Sequence, residues 1–164
     1  MECMDGSSWE KSRKMLDIGI QLTILVGVTL LSVVPHEYAH KLVLKLYGVD
    51  SHFEAIDRDG EKARNFLFVY AILVEPNDNS AMDNFSKGQM FNVAVVGGIA
   101  SAIFTLMCAI LLWPIIGIAA QVVLLAYIVY DLFYAAWEVR NNLRWLEENG
   151  GTNGRKKEML EMRE

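Results

Sequence analysis

Apolar positions along this chain fall in long runs, not at the two-residue or three-to-four-residue spacing of a strand or helix with one face in water. Leu16 to Val34 ("LDIGIQLTILVGVTLLSVV") is interrupted by Asp17 and Gln21 and is long enough to cross roughly 30 Å of hydrocarbon. Met90 to Leu112 and Ile115 to Trp137 are two more such runs, separated only by Trp113-Pro114. A proline with almost no loop around it predicts that these two form an antiparallel helical hairpin. The pattern therefore predicts an all-α membrane protein with about three transmembrane helices, at about 16–47, 90–112 and 115–137. They make up a membrane-embedded domain over 16–137, flanked by a polar N-terminal segment, 1–15, and by a juxtamembrane helix and polar tail, 138–164.

The stretch between the first two runs reads differently. "HFEAI" alternates, Asp59-Gly60 signals a turn, and the apolar run Phe66 to Val74 is rich in aromatic and β-branched residues and ends at Glu75-Pro76. That run is too short to span. A small β-hairpin over about 51–74, lying at the membrane surface, is expected, with a re-entrant helical segment as the competing reading. "NDNSAMDNFSKG" reads as an irregular loop. After Trp137, Arg140, Arg144 and Trp145 suit a helix leaving the bilayer through the headgroup layer, and "GGTNG" breaks it.

Composition agrees: 53% of the 164 residues are hydrophobic. The first apolar core is too long for a secretory signal and is followed by polar residues, so it is expected to remain as an anchor. Of the fifteen Lys and Arg residues, Lys11, Arg13 and Lys14 precede the first run, and all others lie at its far end, in the middle loop or in the tail. That asymmetry predicts a multi-pass protein with hairpin loop and C-terminal tail in the cytoplasm, with Lys11, Arg13 and Lys14 pulling the other way. A net charge of −5 without a basic stripe excludes nucleic acid as an expected partner. Cys3 and Cys108 are poorly placed to pair.

One motif carries chemistry. His36-Glu37-Tyr38-Ala39-His40 fits H-E-x-x-H, in which histidines four apart share a helix face and ligate one zinc ion, while the glutamate acts as general base toward a water whose pKa the zinc lowers to about 7. Shuffling this composition would produce the pattern in about 0.3% of sequences, so chance is a poor account of it. The competing structural reading is a helix end where both histidines reach the interface beside Lys41 and Lys45. Pro35, just before His36, is expected to kink or start the helix there.

Catalytic zinc usually has three protein ligands. Among the acids of the apolar runs, Asp17 lies at the opposite boundary and Glu138 at the exit of the third run. Asp131 lies nine residues before Arg140, and His36 and His40 lie eight to twelve before Gly48. At 1.5 Å per residue both positions are roughly 12 to 18 Å inside the same face, which makes Asp131 the expected third ligand. An Asp131 that is protonated, or hydrogen-bonded to Tyr130 or Tyr134, is the alternative. His52, in the hairpin, reads as a surface residue.

These residues resemble the site-2 protease family of intramembrane zinc metalloproteases, particularly its short members. The resemblance covers about Gly27 to Trp137. It consists of H-E-x-x-H at the end of one membrane helix, an aspartate on a later one, and "VVGGIASAIF" between them. That stretch is similar to the family's Gly-Pro-x-x-Asn element, with Gly97-Gly98 for Gly-Pro and Ser101 for Asn. On its own, it is a small-residue patch that allows close helix packing. Family members place the aspartate in Asp-Gly after Asn-Pro, whereas here Leu132 follows Asp131. The resemblance implies an endopeptidase with Zn2+ as cofactor, Glu37 as catalytic base and a hairpin near substrate entry whose edge pairs with an unwound strand. Its partners would be the lipid bilayer and a membrane-protein or membrane-adjacent peptide substrate. The alternatives are a proteolytically inactive membrane-integral metal-binding protein that binds partner helices, and a metal transporter, which three spans without repeated polar faces disfavour.

Overall fold

A computed structural model of the chain describes residues 6–56, 71–78, 81–82 and 85–148. The element order is α1 (Gly6–Leu46), β1 (Ser51–Ile56), β2 (Ala71–Pro76), α2 (Lys87–Leu112) and α3 (Ile118–Glu148). Three helices, one within each, are long and apolar enough to cross a membrane: Glu10–Leu46, Lys87–Leu112 and Ile118–Arg144. A small two-stranded antiparallel sheet lies between α1 and α2, so the described residues of that stretch, 51–56 and 71–76, pair as strands.

The elements begin and end where local chemistry dictates. α1 closes on Gly48 at φ 77°, with Gly48 N–H donating to the Lys45 carbonyl and Val49 N–H to the Leu44 carbonyl. That pair of bonds is a Schellman ending, and only a residue without Cβ adopts its left-handed corner cheaply. Val49 packs back into the same apolar cluster as Leu44, aiming the chain into β1. Asn77 N–H to the Asp50 carbonyl closes the base of the hairpin. Ser86 caps α2 reciprocally with Gln89, Gln89 N–H donating to Ser86 Oγ and Ser86 N–H to Gln89 Oε1, which satisfies two helix-end donors. At the far end, residues 113–117 form the turn around Pro114, and Gln121 Nε2 donates to the Trp113 and Ile116 carbonyls across it.

Two boundaries differ from the sequence pattern. Pro35 sits inside α1 and neither starts nor ends it, leaving the Leu31 carbonyl without its helical donor. The third helix does not stop near Trp137 but continues to Glu148, so the membrane span and juxtamembrane helix are one element. The Asp59-Gly60 turn and the apolar residues 66–70 lie outside the described residues, as do residues 1–5 and the tail from 149. The described part of the ladder ends with Ile56 paired to Ala71.

The core is divided. One apolar cluster (Leu44, Val49, Phe85, Met90, Val93, Leu146) joins the hairpin-side ends of the three helices. A second (Val28, Ala109, Ile116, Ala120, Leu124) fills the bundle near the α2–α3 turn. Between them α2 presents small residues, Ala94, Gly97, Gly98, Ser101, Ala102 and Thr105, all buried. Small residues let helix backbones approach without a hydrophobic drive, as membrane bundles require.

Candidate metal centre

The histidines lie in the small-residue layer between the two clusters. His36 and His40, one turn apart on α1, bring their Nε2 atoms to 3.1 Å of each other. Their side chains are 13% exposed. His40 Nδ1 lies 2.7 Å from the Val93 carbonyl oxygen. A carbonyl only accepts, so Nδ1 donates and the neutral ring turns a lone pair outward at Nε2. Hydrogen bonding of the non-ligating nitrogen to a backbone carbonyl is how metal-binding histidines are commonly oriented.

Gly97 makes this approach possible. A Cβ built there would overlap His40 Nε2 and stand 2.7 Å from His36 Nε2, and one on Gly98 would stand 2.5 Å from Ala135 Cβ and 2.7 Å from the Asp131 carbonyl oxygen. The glycine pair thus faces α1 with one residue and α3 with the next. The sequence motif "VVGGIAS" is a two-sided packing surface, as its small residues suggested.

The third side chain that could hold a metal with the two histidines comes from α3, and it is Glu138. Its Oε2 lies 3.8 Å from His36 Nε2 and 3.9 Å from His40 Nε2, and the ligand atoms of these three residues all lie within 4.8 Å of one another. The point equidistant from the corners of the triangle with edges 3.1, 3.8 and 3.9 Å is about 2.1 Å from each, the length of a zinc–nitrogen or zinc–oxygen bond. Glu138 Oε2 is also buried without a hydrogen-bond partner among the described residues. A divalent cation at that point would satisfy the two nitrogens and the oxygen together.

Asp131, the aspartate expected at this position, lies on the same face of α3 two turns deeper. It is 6% exposed, faces Ser101 and His36, and its Oδ2 has no hydrogen-bond partner among the described residues. It does not belong to the triangle of donors. The difference follows from where the helix ends. Depth counted from Arg140 puts Asp131 level with the histidines, but α3 runs on to Glu148. Glu138 is ten residues from that end and His36 ten from the end of α1 at Leu46. Both Asp131 and Glu138 fall on the buried face that also carries Ala135 and Leu124, and this seven-residue spacing was the available signal.

Glu37 sits beside the triangle without being a corner of it. Its Oε1 is 4.0 Å from His36 Nε2, and its Oε2 accepts from the Val74 N–H at 3.0 Å. The hairpin thus reaches the site through the backbone of β2, with one carboxylate oxygen held by the strand and the other turned toward the histidines. Tyr134 lies over His36 with ring centroids 6.0 Å apart. Above and below it, Tyr127, Tyr130 and Trp137 continue an aromatic ladder along α3 at centroid separations of 5.4 to 6.2 Å. His52 lies in β1 and is not a member of this group. No family model, curated protein or solved structure matches the chain.

Proposed function

We propose that the chain is a zinc-dependent intramembrane endopeptidase, of the site-2 protease kind its motif resembles, that hydrolyses peptide bonds in or next to a membrane segment of another protein. The observation that carries this reading is the convergence of His36 Nε2, His40 Nε2 and Glu138 Oε2 on one point, with the Glu37 carboxylate alongside.

The fit of the residues to a metal is chemical as well as geometric. Two imidazoles and one carboxylate are the donor types zinc takes, and three protein ligands leave a fourth position open, as catalytic sites do and closed structural sites do not. A zinc ion held there supplies Lewis acidity toward a carbonyl and lowers the pKa of a water it binds to about 7. With such an ion in place, Glu37 would serve as general base toward a water and return the proton to the leaving amine, using the carboxylate oxygen that Val74 does not hold. His40 keeps its ring orientation through Val93 while this happens. The hairpin loop and C-terminal tail face the cytoplasm in this reading, and the outer edge of β2 beside Glu37 is where an extended substrate strand docks.

The test separates ligand from base. Zinc bound per chain is measured for the wild type, Glu138→Gln, Asp131→Asn and Glu37→Gln in detergent, together with cleavage of a helical membrane substrate. Glu138→Gln is expected to bind one zinc fewer than the wild type and Asp131→Asn the same number. Glu37→Gln is expected to keep its zinc and lose cleavage. Undiminished cleavage by Glu37→Gln would sink the mechanism, and undiminished zinc in Glu138→Gln would remove the third ligand.

A further inference from the structure

The hairpin carries a second set of donors that the bundle does not use. His52 and Glu75 are direct partners across the β1–β2 ladder, and Glu54, two residues along β1, projects to the same face as His52. One ligand atom from each of the three lies within 4.8 Å of the others, and His52 Nε2 is 3.4 Å from Glu54 Oε2. The other ring nitrogen, Nδ1, donates to Asn77 Oδ1 at 2.8 Å. That bond turns the Nε2 lone pair of the neutral ring toward the two carboxylates, just as Val93 orients His40 in the bundle.

We propose that this outer face of the hairpin is a second divalent-metal site, formed by His52, Glu54 and Glu75, that takes a transition-metal ion such as zinc or cobalt(II). The imidazole sets the class: calcium and magnesium prefer shells made of oxygen, whereas an imidazole with carboxylates suits zinc and its neighbours. The site is open to the aqueous side of the membrane surface, with the His52 side chain 47% and Glu54 16% exposed, so the ion exchanges freely. It bridges β1 to β2 one residue from Val74, the residue whose N–H holds Glu37. Metal binding at the hairpin does not depend on the proposed activity.

Titration of tag-free full-length protein in detergent micelles with cobalt(II), followed by its visible absorption, tests both sites at once. The wild type is expected to take up two equivalents, and His52→Ala/Glu75→Gln and His36→Ala/His40→Ala one each. Uptake by the hairpin double variant equal to the wild type would overturn the proposal and leave the bundle site standing, as would no uptake by the His36/His40 variant. Full uptake by the His36/His40 variant, with loss confined to the hairpin variant, would uphold this site and overturn the one in the bundle. Circular dichroism checks that each variant retains its helices. Should the hairpin double variant lose them, Glu75→Gln alone is titrated, with at least a tenfold weaker second equivalent expected and an unchanged one overturning the proposal.

Discussion

The half of the bundle nearest the α2–α3 turn and the layer nearest the hairpin are built from the same three helices, yet they solve opposite problems. Near the turn, Val28, Ala109, Ile116, Ala120 and Leu124 pack with Leu25, Cys108 and Leu112 into a cluster of apolar side chains. Around His36 and His40 the space is lined by glycine, serine and carboxylate, and Glu138 Oε2 and Asp131 Oδ2 lack hydrogen-bond partners among the described residues. Leaving carboxylate oxygens unpaired costs several kcal/mol in a low-dielectric interior. A fold selected for stability alone would continue the first arrangement through the second. The contrast teaches that the polar layer is held in place by its neighbours, with the apolar clusters above and below offsetting its cost.

That contrast breaks most completely at Gly97. Gly97→Ala places a methyl group where the two Nε2 atoms meet, and is expected to abolish metal uptake by the bundle while the helices still form. Gly98→Ala presses on Ala135 and the backbone of Asp131 instead, so α3 is displaced and thermal stability falls. Gly27→Ala meets nothing within 4 Å and is expected to leave both properties unchanged. Zinc content and the thermal melt of the three variants, read together, assign one glycine to the site, one to packing and one to neither. Equal metal content in all three would mean that the histidine approach does not depend on Gly97.

Leu124 probes the other half. It is fully buried at 0% exposure, and Leu124→Ala should lower stability by roughly 2 to 5 kcal/mol through lost contacts and the cavity left behind. Because the cavity opens in the cluster by the turn, the folded fraction is expected to bind zinc as the wild type does. Measuring zinc per folded chain as a function of denaturant checks this. A loss of zinc before unfolding would show that the two halves are coupled more tightly than their separate clusters imply.

Much of this arrangement was legible in the residues, and the rest was hidden for physical reasons. The three spans follow from apolar run length, the antiparallel pair from Trp113-Pro114, and the joined histidines from their four-residue spacing on a helix. Gly97-Gly98 could be read as a close-packing patch, but which glycine faces which helix depends on the rotation of α2, which periodicity does not set. Glu138 was passed over because depth was counted from the first basic residue after the third run. The helix continues past Arg140 to Glu148, so the charged residues do not mark its end. The hairpin was visible in alternation at "HFEAI", whereas its register, Ile56 against Ala71, depends on the length of the connection between the strands. Val74 N–H meeting Glu37 is a contact between a strand edge and a side chain 37 positions away, and no local pattern encodes it.

The smallest expected effect concerns the exposed tie at the hairpin-side end. Lys87 Nζ donates to Glu147 Oε1 at 2.8 Å, with both side chains more than 60% exposed, joining the start of α2 to the end of α3. The Lys87 ammonium holds the Glu147 carboxyl below its ordinary range. A carboxyl depressed in the folded state contributes stability above its unfolded pKa and loses it as pH falls through the folded value. Lys87→Met is therefore expected to melt slightly below the wild type at neutral pH, with the two curves converging as pH drops through the carboxylate range. Screening makes such a surface pair weak, and salt should shrink the difference further. Zinc content is expected to be unchanged throughout, because Glu138 is aligned from within the bundle by Gly98 against Ala135. If zinc fell in Lys87→Met, the alignment of Glu138 would belong to the exposed end of α3, and the buried layer would be positioned from outside.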